Sequence, residues 1–483
     1  MNFKPVFHVI ARLMGVVGLL MGLCGAVSWL FGEPASAWGA LAQSGAGVFA
    51  VSAAVWALTR NDQELTRRDG LGVVAFGWLL AGLAGAIPYV LSGVIADPVA
   101  AFFETMSGLS TTGASVIPVL EGVPRGILLW RAMTHLIGGM GILVLVVAIL
   151  PFVGVGGMQL FRAEMAGPTK ERIEPRMAST AKMLWGVYLL LILVLTCLLR
   201  LGGLDWFDSV CHAFAALATG GFSTRTASVA AYDSVYVEVV LMVFMLLGGL
   251  NFALHYRLLR GEFSPWWKDS GARFYLGVLA ASVLAGTFVL HGIAGGPSWG
   301  SALRQTSFTC VSLATTTGFC TADFDVWPAT LKVLLLLLML MGGCVGSTAG
   351  GIKVARIQIV LKTMAREIRL FMQTQAVISV RLDRKPLDDS ALVPVLAFVA
   401  LYLLVGAVGT VAMLWFAPNL TTAVSAVVSC LGGVGPGLSA VGPTMNYAAI
   451  PGGGQLVLIA MMMAGRLEFF TLLVVFMPAF WKK

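Results

Sequence analysis

Long apolar segments alternate with short polar ones along the whole chain. Segments 71–94, 183–201 and 331–341 lack the polar face that a surface helix of a soluble protein presents. Because a helix needs roughly 20 mainly apolar residues to cross a bilayer, the pattern predicts an all-α integral membrane protein with about ten transmembrane helices. These predicted spans lie near residues 10–32, 38–59, 71–94, 126–155, 180–201, 234–258, 273–292, 328–360, 391–416 and 453–479.

Four further apolar stretches, near 97–109, 205–217, 301–313 and 419–431, are too short to cross a bilayer. Each lies between two predicted spans, and Asp97, Asp205 and Ser301 are placed to act as helix N-caps. A glycine-bearing segment follows each stretch directly. We expect four re-entrant segments, whose central residues are Thr111, Thr112 and Gly113; Ala218, Thr219 and Gly220; Thr316, Thr317 and Gly318; and Gly433, Val434 and Gly435.

This layout divides the chain into a leading helical hairpin and four repeats of helix, re-entrant pore loop and helix. The predicted units are the hairpin 1–65 and the repeats 66–165, 166–265, 266–385 and 386–483. Four repeats of the same sense can surround a single pore with pseudo-fourfold symmetry. Inverted repeats with broken helices near the midplane are instead typical of secondary transporters. A secondary transporter of another solute is therefore the alternative function.

The chemistry of the four segments favours a monovalent cation. Glycine adopts positive φ without penalty, so consecutive carbonyls can turn toward one axis, as they do in a potassium filter. The segments contain no Asp or Glu, which favours carbonyl ligands over a carboxylate ring. Hydroxyls are absent from Ala218 and Val434, so we expect relaxed discrimination between potassium and sodium. A single Thr-x-Gly is more typical of a turn or of tight helix packing; four at corresponding places favour a pore.

Composition and charge exclude several other classes. Only 11% of the residues are charged, against about a quarter in ordinary soluble domains. Of the 31 Lys and Arg residues, 24 fall at one predicted membrane face, which the positive-inside rule makes cytoplasmic together with both termini. No groove-reading element accompanies the net charge of +8, so nucleic acid is not an expected partner. No nucleophile–base set or metal-ligand spacing indicates an enzyme or an organic cofactor.

Two further motifs complete a resemblance to a known family. Residues 248–252 read Gly-Gly-Leu-Asn-Phe, and residues 342–353 read Gly-Gly-Cys-Val-Gly-Ser-Thr-Ala-Gly-Gly-Ile-Lys. Together with the four glycine segments, they make the chain resemble the Trk/Ktr/HKT superfamily of potassium transporters, most closely its TrkH type. The resemblance covers nearly the whole chain, including the two extra N-terminal helices of that type.

The resemblance implies the transported ion, the partners and the location. It implies that K⁺ binds at the four glycine segments, and that the protein lies in a bacterial plasma (inner) membrane. It also implies a homodimer that sits on a cytosolic nucleotide-binding regulatory subunit of the TrkA type. The strongly basic segment 353–385 is a candidate contact for that subunit or for anionic membrane lipid. The residues leave open whether flux is channel-like or coupled to protons.

A candidate gate interrupts the third repeat. Five glycines within 342–351 are unfavourable in an unbroken helix, since each costs about 1 kcal/mol relative to alanine. Arg466 falls midway through the last predicted span, where a charge normally faces a cavity or a partner. The structural alternatives are a packing kink for the loop, and an ion pair with Glu468 or a contact with a backbone carbonyl for the arginine. By resemblance the gate residues are Gly342, Gly343, Gly346, Ser347, Thr348, Gly350, Gly351, Lys353 and Arg466.

Overall fold

The computed structural model is helical almost throughout. It describes residues 2–60, 66–149, 173–293, 295–373, 375–376, 378–383, 385–467, 469, 472, 475 and 477–481. The helices are, in chain order, α1 (Phe3–Leu30), α2 (Ala35–Leu58), α3 (Arg67–Ser92), α4 (Pro98–Leu109), α5 (Arg125–Ile149), α6 (Ile173–Leu201), α7 (Trp206–Leu217), α8 (Val235–Gly249), α9 (Phe252–Leu259), α10 (Ser264–Lys268), α11 (Ser270–His291), α12 (Trp299–Ala314), α13 (Ala329–Met341), α14 (Val354–Met372), α15 (Asp389–Met413), α16 (Leu420–Gly432), α17 (Gly452–Leu467) and α18 (Pro478–Trp481).

The all-α prediction is confirmed. Within the described residues the strands are limited to β1 (Arg381–Leu382) and β2 (Lys385–Pro386), which pair antiparallel. Short 3-10 helices lie in the connections at Ser228–Tyr232, Phe324–Val326, Ser439–Val441 and Tyr447–Ala449. Six described helices are long and apolar enough to cross a bilayer, and the bent pair α8 and α9 would make a seventh. Exposed apolar side chains along α15, such as Leu404 and Val408, are typical of a lipid-facing surface.

Two of the predicted spans are broken in the structure. The span predicted at 234–258 bends by 106° between α8 and α9. There Leu250 leaves the helical conformation and the Asn251 side chain caps α9 by accepting a hydrogen bond from the Ala253 N–H. The span predicted at 328–360 ends at Met341 and resumes at Val354, with a non-helical connection between them. Both breaks coincide with glycine-rich sequence, at 248–249 and 342–351. Glycine is unfavourable in a helix interior, so a helix ends readily at such a site.

Four short helices, α4, α7, α12 and α16, each begin at a capping side chain, and the predicted caps Asp97 and Asp205 are confirmed. Asp97, Asp205 and Asn419 each accept a hydrogen bond from a backbone N–H of the first turn. Helix α12 begins earlier than predicted. Its cap is Ser298, whose hydroxyl accepts a hydrogen bond from the Ser301 backbone N–H.

The buried apolar side chains form two large clusters around these short helices. One joins α6–α9 to α11–α13. The other joins α1, α3, α4 and α5 to α16 and α17. The hairpin α1–α2 packs backbone against backbone, since a Cβ at Gly18 would lie 2.8 Å from the Gly45 carbonyl oxygen. The short helices α7 and α12 thus pack within the first cluster, and α4 and α16 pack within the second.

Candidate functional site: a ring of four glycine segments

Each short helix is followed by the same backbone path. The first residue of each glycine-bearing segment is left-handed, with φ of 53°, 53°, 58° and 71° at Thr111, Thr219, Thr316 and Gly433. The residue two places later is left-handed again, with φ of 83°, 76°, 80° and 103° at Gly113, Gly221, Gly318 and Gly435. Successive carbonyls of an ordinary strand point to opposite sides; a left-handed residue at every second position turns them to the same side.

The three threonines in this pattern are strained. A β-branched residue with positive φ is a genuine outlier, and such strain costs of order 1–3 kcal/mol per residue. Thr111, Thr219 and Thr316 hold the same conformation at corresponding positions, so the surrounding structure must impose it. Backbone strain of this kind clusters at functional sites.

The structure shifts the register of the second segment by one residue. The sequence pattern aligned Ala218, Thr219 and Gly220 with Thr111, Thr112 and Gly113. In the structure Ala218 is instead the last residue of the helical turn, and Gly221 holds the conformation of Gly113. The second segment therefore begins with a threonine, and the expected loss of a hydroxyl at its first position is wrong. The shared Gly-Phe pair in Gly221-Phe222 and Gly318-Phe319 is the signal that could have given the correct register.

The four segments close into a ring, here called the glycine ring (residues 111–113, 219–221, 316–318 and 433–435). Each of its last glycines packs on the next segment so tightly that a Cβ would collide with a carbonyl oxygen. The collisions are Gly113 with Gly220, Gly221 with Thr317, Gly318 with Val434, and Gly435 with Thr112, the last at 2.6 Å. These contacts run once around and return to the first segment. Both φ and space therefore demand glycine here.

The hydroxyls of the two middle threonines of the ring pair with neighbouring hydroxyls. The Thr112 Oγ1 lies 2.7 Å from the Ser110 hydroxyl, and the Thr317 Oγ1 lies 2.8 Å from the Thr315 hydroxyl. The second segment has Gly220 at this position and the fourth has Val434, so neither can form such a pair. Carbonyls are therefore the only groups that the middle level shares among all four segments.

A cavity of about 100 Å³ lies against one side of the ring. All four closing glycines, Gly113, Gly221, Gly318 and Gly435, line it together with the residues that follow them. At the rim of the cavity, Glu121 joins two loops by accepting hydrogen bonds from the Thr226 N–H and hydroxyl. These bonds hold the pKa of Glu121 below its usual value. The cavity thus opens where the chain leaves the ring, and it touches every segment.

The opposite side of the ring is covered by the connection between α13 and α14, here called the ring loop (residues 342–353). The Gly350 N–H donates a hydrogen bond to the Thr316 Oγ1 at 2.8 Å. A Cβ on Gly350 would also collide with the Gly432 carbonyl oxygen at the end of α16. The Thr348 hydroxyl lies 2.8 Å from the Leu217 carbonyl oxygen at the end of α7. The ring loop therefore contacts the second, third and fourth repeats at once.

The ring loop packs against the break between α8 and α9. The Cys344 N–H donates to the Gly249 carbonyl at 2.9 Å, and the Phe252 N–H donates to the Gly346 carbonyl at 3.0 Å. The Thr348 N–H also reaches the Gly248 carbonyl, at 3.2 Å. The two motifs that stand out in the sequence, 248–252 and 342–353, are thus the two halves of one contact.

Arg466 connects the ring loop to the first repeat. Its side chain is buried, and it donates from Nη1 to the Thr348 carbonyl at 2.8 Å and from Nη2 to the Gly138 carbonyl on α5 at 3.2 Å. Lys353 donates from Nζ to the Ala349 carbonyl and so closes the end of the loop. The alternative partner Glu468 lies outside the described residues, as do Lys482, Lys483 and most of the basic segment 162–182. Among the described residues, no group of three or more His, Cys, Asp or Glu could hold a metal ion.

Comparisons with known proteins agree with this geometry. The family model of TrkH, described as a cation transport protein, matches residues 39–483. The Trk system potassium uptake protein TrkH of Escherichia coli (strain K12) is 42% identical over 431 residues, which cover 87% of each chain. TrkH of Halomonas elongata is 38% identical over 424 residues, again 87% of each chain. The crystal structure of the potassium transporter TrkH from Vibrio parahaemolyticus superposes with a TM-score of 0.91 at 33% identity, covering all of both chains. The chain is a multi-pass membrane transport protein rather than an enzyme, and it belongs to the TrkH family of cation transport proteins.

Proposed function

We propose that this protein takes up potassium across the bacterial plasma (inner) membrane through the glycine ring. The closure of four equivalent segments around one axis is the single observation that carries the proposal. The ring contains no carboxylate, and its alternating left-handed residues turn successive carbonyls to the same side, which supports a carbonyl filter for a monovalent cation. The relatives described as potassium uptake proteins support the choice of ion.

Discrimination between potassium and sodium is moderate in this proposal. The first level of the ring has threonine in three segments but glycine at Gly433. The middle level has hydroxyls only in the first and third segments, and both are paired with neighbouring hydroxyls. The surroundings of an ion therefore differ between adjacent quarters of the ring. An uneven ligand set holds an ion of one size less strictly than a symmetric one does.

The ring loop is the gate of the proposed pore. Its glycines and Thr348 are packed against the ends of the short helices, and Arg466 holds it from the side of α5. In this arrangement the loop lies across the path on the side of the ring away from the cavity. Opening requires the hydrogen bonds of Gly350 and Arg466 to be exchanged for others. Such a two-state segment can be biased by a partner protein.

The partner in this proposal is a cytosolic nucleotide-binding subunit that acts on a homodimer of this chain. The helix α14 continues directly from the ring loop, so a force on that helix reaches the gate without an intervening linker. Its basic residues agree with a cytoplasmic position for this side of the protein and for both termini. The relatives' description as parts of a Trk system supports association with further components.

Potassium uptake in a bacterial strain that lacks its own uptake systems tests the function. Expression of this chain with its regulatory subunit should restore growth at low potassium, and excess sodium should compete only weakly. Gly113→Ser and Gly318→Ser should abolish or relax this selectivity, because both residues close the ring. Gly277→Ser on α11, where a Cβ meets nothing within 4 Å, is the matched control. Equal potassium and sodium flux in the unaltered protein would refute the proposal.

A further inference from the structure

A buried ion pair lies behind the glycine ring. Glu104 on α4 is fully buried, Arg131 on α5 is 2% exposed, and the Arg131 Nε lies 2.7 Å from the Glu104 Oε1. Burying two charges is costly unless their remaining hydrogen-bonding groups are satisfied as well. The other partners of the two side chains therefore show what the pair is positioned to hold.

Every remaining polar atom of the pair is directed at the residues that follow the first two closing glycines. Arg131 donates from Nη1 to the Ser223 carbonyl at 3.0 Å and from Nη2 to the Ser115 Oγ at 3.2 Å. Glu104 accepts from the Ser115 hydroxyl at 3.0 Å and from the Val116 N–H at 2.8 Å. The pair therefore ties the first segment, through Ser115 and Val116, to the second segment, through Ser223.

The second segment is also clamped by stacking. The Phe222 ring contacts the Arg131 guanidinium, whose Cζ is 4.0 Å from the ring centroid, and stacks on the His135 imidazole, whose centroid is 4.2 Å away. Arg131 and His135 are one helical turn apart on α5, so they present both stacking partners from a single face. The His135 ring also fills the space behind Gly220, where a Cβ would lie 2.6 Å from it.

The other repeats lack this arrangement. Counting back from the first left-handed residue of each segment, the position of Glu104 is taken by His212, Thr309 and Ala426. His212 contacts Ser223 through Nε2 at 2.9 Å, which repeats the contact of Glu104 with Ser115 without a carboxylate. Only the boundary between the first and second segments therefore carries a charge pair at this position.

We propose that Glu104 and Arg131 are positioning residues that set the separation of the first and second segments and thereby the ion selectivity of the pore. The inference rests on the proposed function of the ring. Gly113 and Gly221, which close the ring, are two residues before Ser115 and Ser223, so a shift of the pair's partners is transmitted directly to ring carbonyls. Arg131 also lines the cavity, and Glu104 neutralises a cation that would otherwise oppose the entry of K⁺ there.

Relative permeability of purified full-length protein in vesicles tests the proposal. Glu104→Gln keeps the shape and removes the charge, whereas Arg131→Lys keeps the charge and replaces three separate donor nitrogens by one. Both variants should lower the potassium-to-sodium permeability ratio by about tenfold, which corresponds to ~1.4 kcal/mol. Ser115→Ala, which removes one shared partner with little change in volume, should lower the ratio less but in the same direction.

The matched control is Glu238→Gln. Glu238 is buried and pairs with Arg304 through two contacts of 2.7 and 2.8 Å; Arg304 is 37% exposed, and neither residue lines the cavity. This variant should keep the permeability ratio of the unaltered protein. If Glu104→Gln does not yield monodisperse protein, Arg131→Lys and Ser115→Ala decide the question.

The outcomes separate the inference from the function on which it rests. An unchanged ratio in Arg131→Lys and Ser115→Ala, with a selective unaltered protein, would overturn the positioning role alone. A ratio that falls equally in Glu238→Gln would overturn it too, since an ion pair that does not line the cavity would then have the same effect. If the unaltered protein passes sodium and potassium equally, the proposed function itself fails.

Discussion

The Gly350 N–H donates a hydrogen bond to the Thr316 Oγ1 across 2.8 Å. Thr316 belongs to the glycine ring and Gly350 to the ring loop, so this bond joins the proposed filter directly to its proposed gate. The threonine that supplies the acceptor is also held in a left-handed conformation. Thr316 is therefore both a strained residue of the glycine ring and the residue that the ring loop contacts.

Thr316→Val should raise the basal potassium flux measured without a regulatory subunit. The change keeps the branched shape and removes the acceptor of the Gly350 N–H. A hydrogen bond contributes about 0.5–1.5 kcal/mol, so we expect a rise of roughly two- to tenfold. Thr306→Val is the control, because its hydroxyl lies 2.8 Å from that of Thr287, in a contact that involves neither ring nor loop. A lower flux in Thr316→Val would show that the hydroxyl serves the ion rather than the loop.

Gly350→Ala should displace the ring loop. The added methyl collides with the Gly432 carbonyl oxygen, which the end of α16 holds in place. We expect a larger basal flux together with faster proteolysis of the loop in detergent. Gly277→Ala, whose Cβ meets no neighbour, should change neither quantity. Unaltered flux in Gly350→Ala would mean that the loop does not restrict the path.

Gly221→Ala tests the corrected register of the second segment. Its φ of 76° and the collision with the Thr317 carbonyl both oppose a side chain, and left-handed geometry alone costs about 1–2 kcal/mol. We expect potassium flux to fall at least as far as it does in Gly113→Ala. Gly203→Ala has a φ of 97° but open space around it, so it should lower the melting temperature slightly and leave flux intact. Normal flux in Gly221→Ala would restore the register read from the sequence.

Arg466→Ala should loosen the ring loop from α5. The change removes the donors to the Thr348 and Gly138 carbonyls and leaves those buried carbonyls without that partner. We expect higher basal flux and weaker dependence on the regulatory subunit. The lysine of Arg466→Lys can reach one carbonyl at a time. The basal flux of this variant should therefore lie between that of Arg466→Ala and that of the unaltered protein. Identical flux and regulation in Arg466→Ala would leave the arginine a purely structural role.

The contact of Glu121 with Thr226 should contribute to stability in a pH-dependent way. Hydrogen bonds from Thr226 hold the pKa of Glu121 below its usual value, so its stabilising effect is present above the unfolded pKa of about 4.3 and is lost as the pH falls through the lower folded pKa. The melting temperature of Glu121→Gln should therefore lie below that of the unaltered protein near about pH 7 and approach it in acid. Thr226→Val should reduce that difference at neutral pH. Equal differences at both pH values would contradict the assignment.

The sequence predicted the elements of this site better than their register. Hydrophobic lengths and capping residues indicated the short helices, because both are local properties. The register of the second segment depends on Gly220 fitting against His135, a contact between residues that are far apart in sequence. For the same reason Arg131 and His135 are not among the site residues that the sequence predicts. The division into repeats at 65, 165, 265 and 385 stays a prediction.

Arg466 shows what a ring built from one chain permits. In a tetramer of identical subunits, an arginine at this position would appear four times and would surround the axis with positive charge. Because all four quarters here belong to a single polypeptide, one quarter can carry the cation while the other three do not. Each quarter can accordingly be altered by substitution without changing its counterparts, so gating and selectivity can evolve separately within one gene.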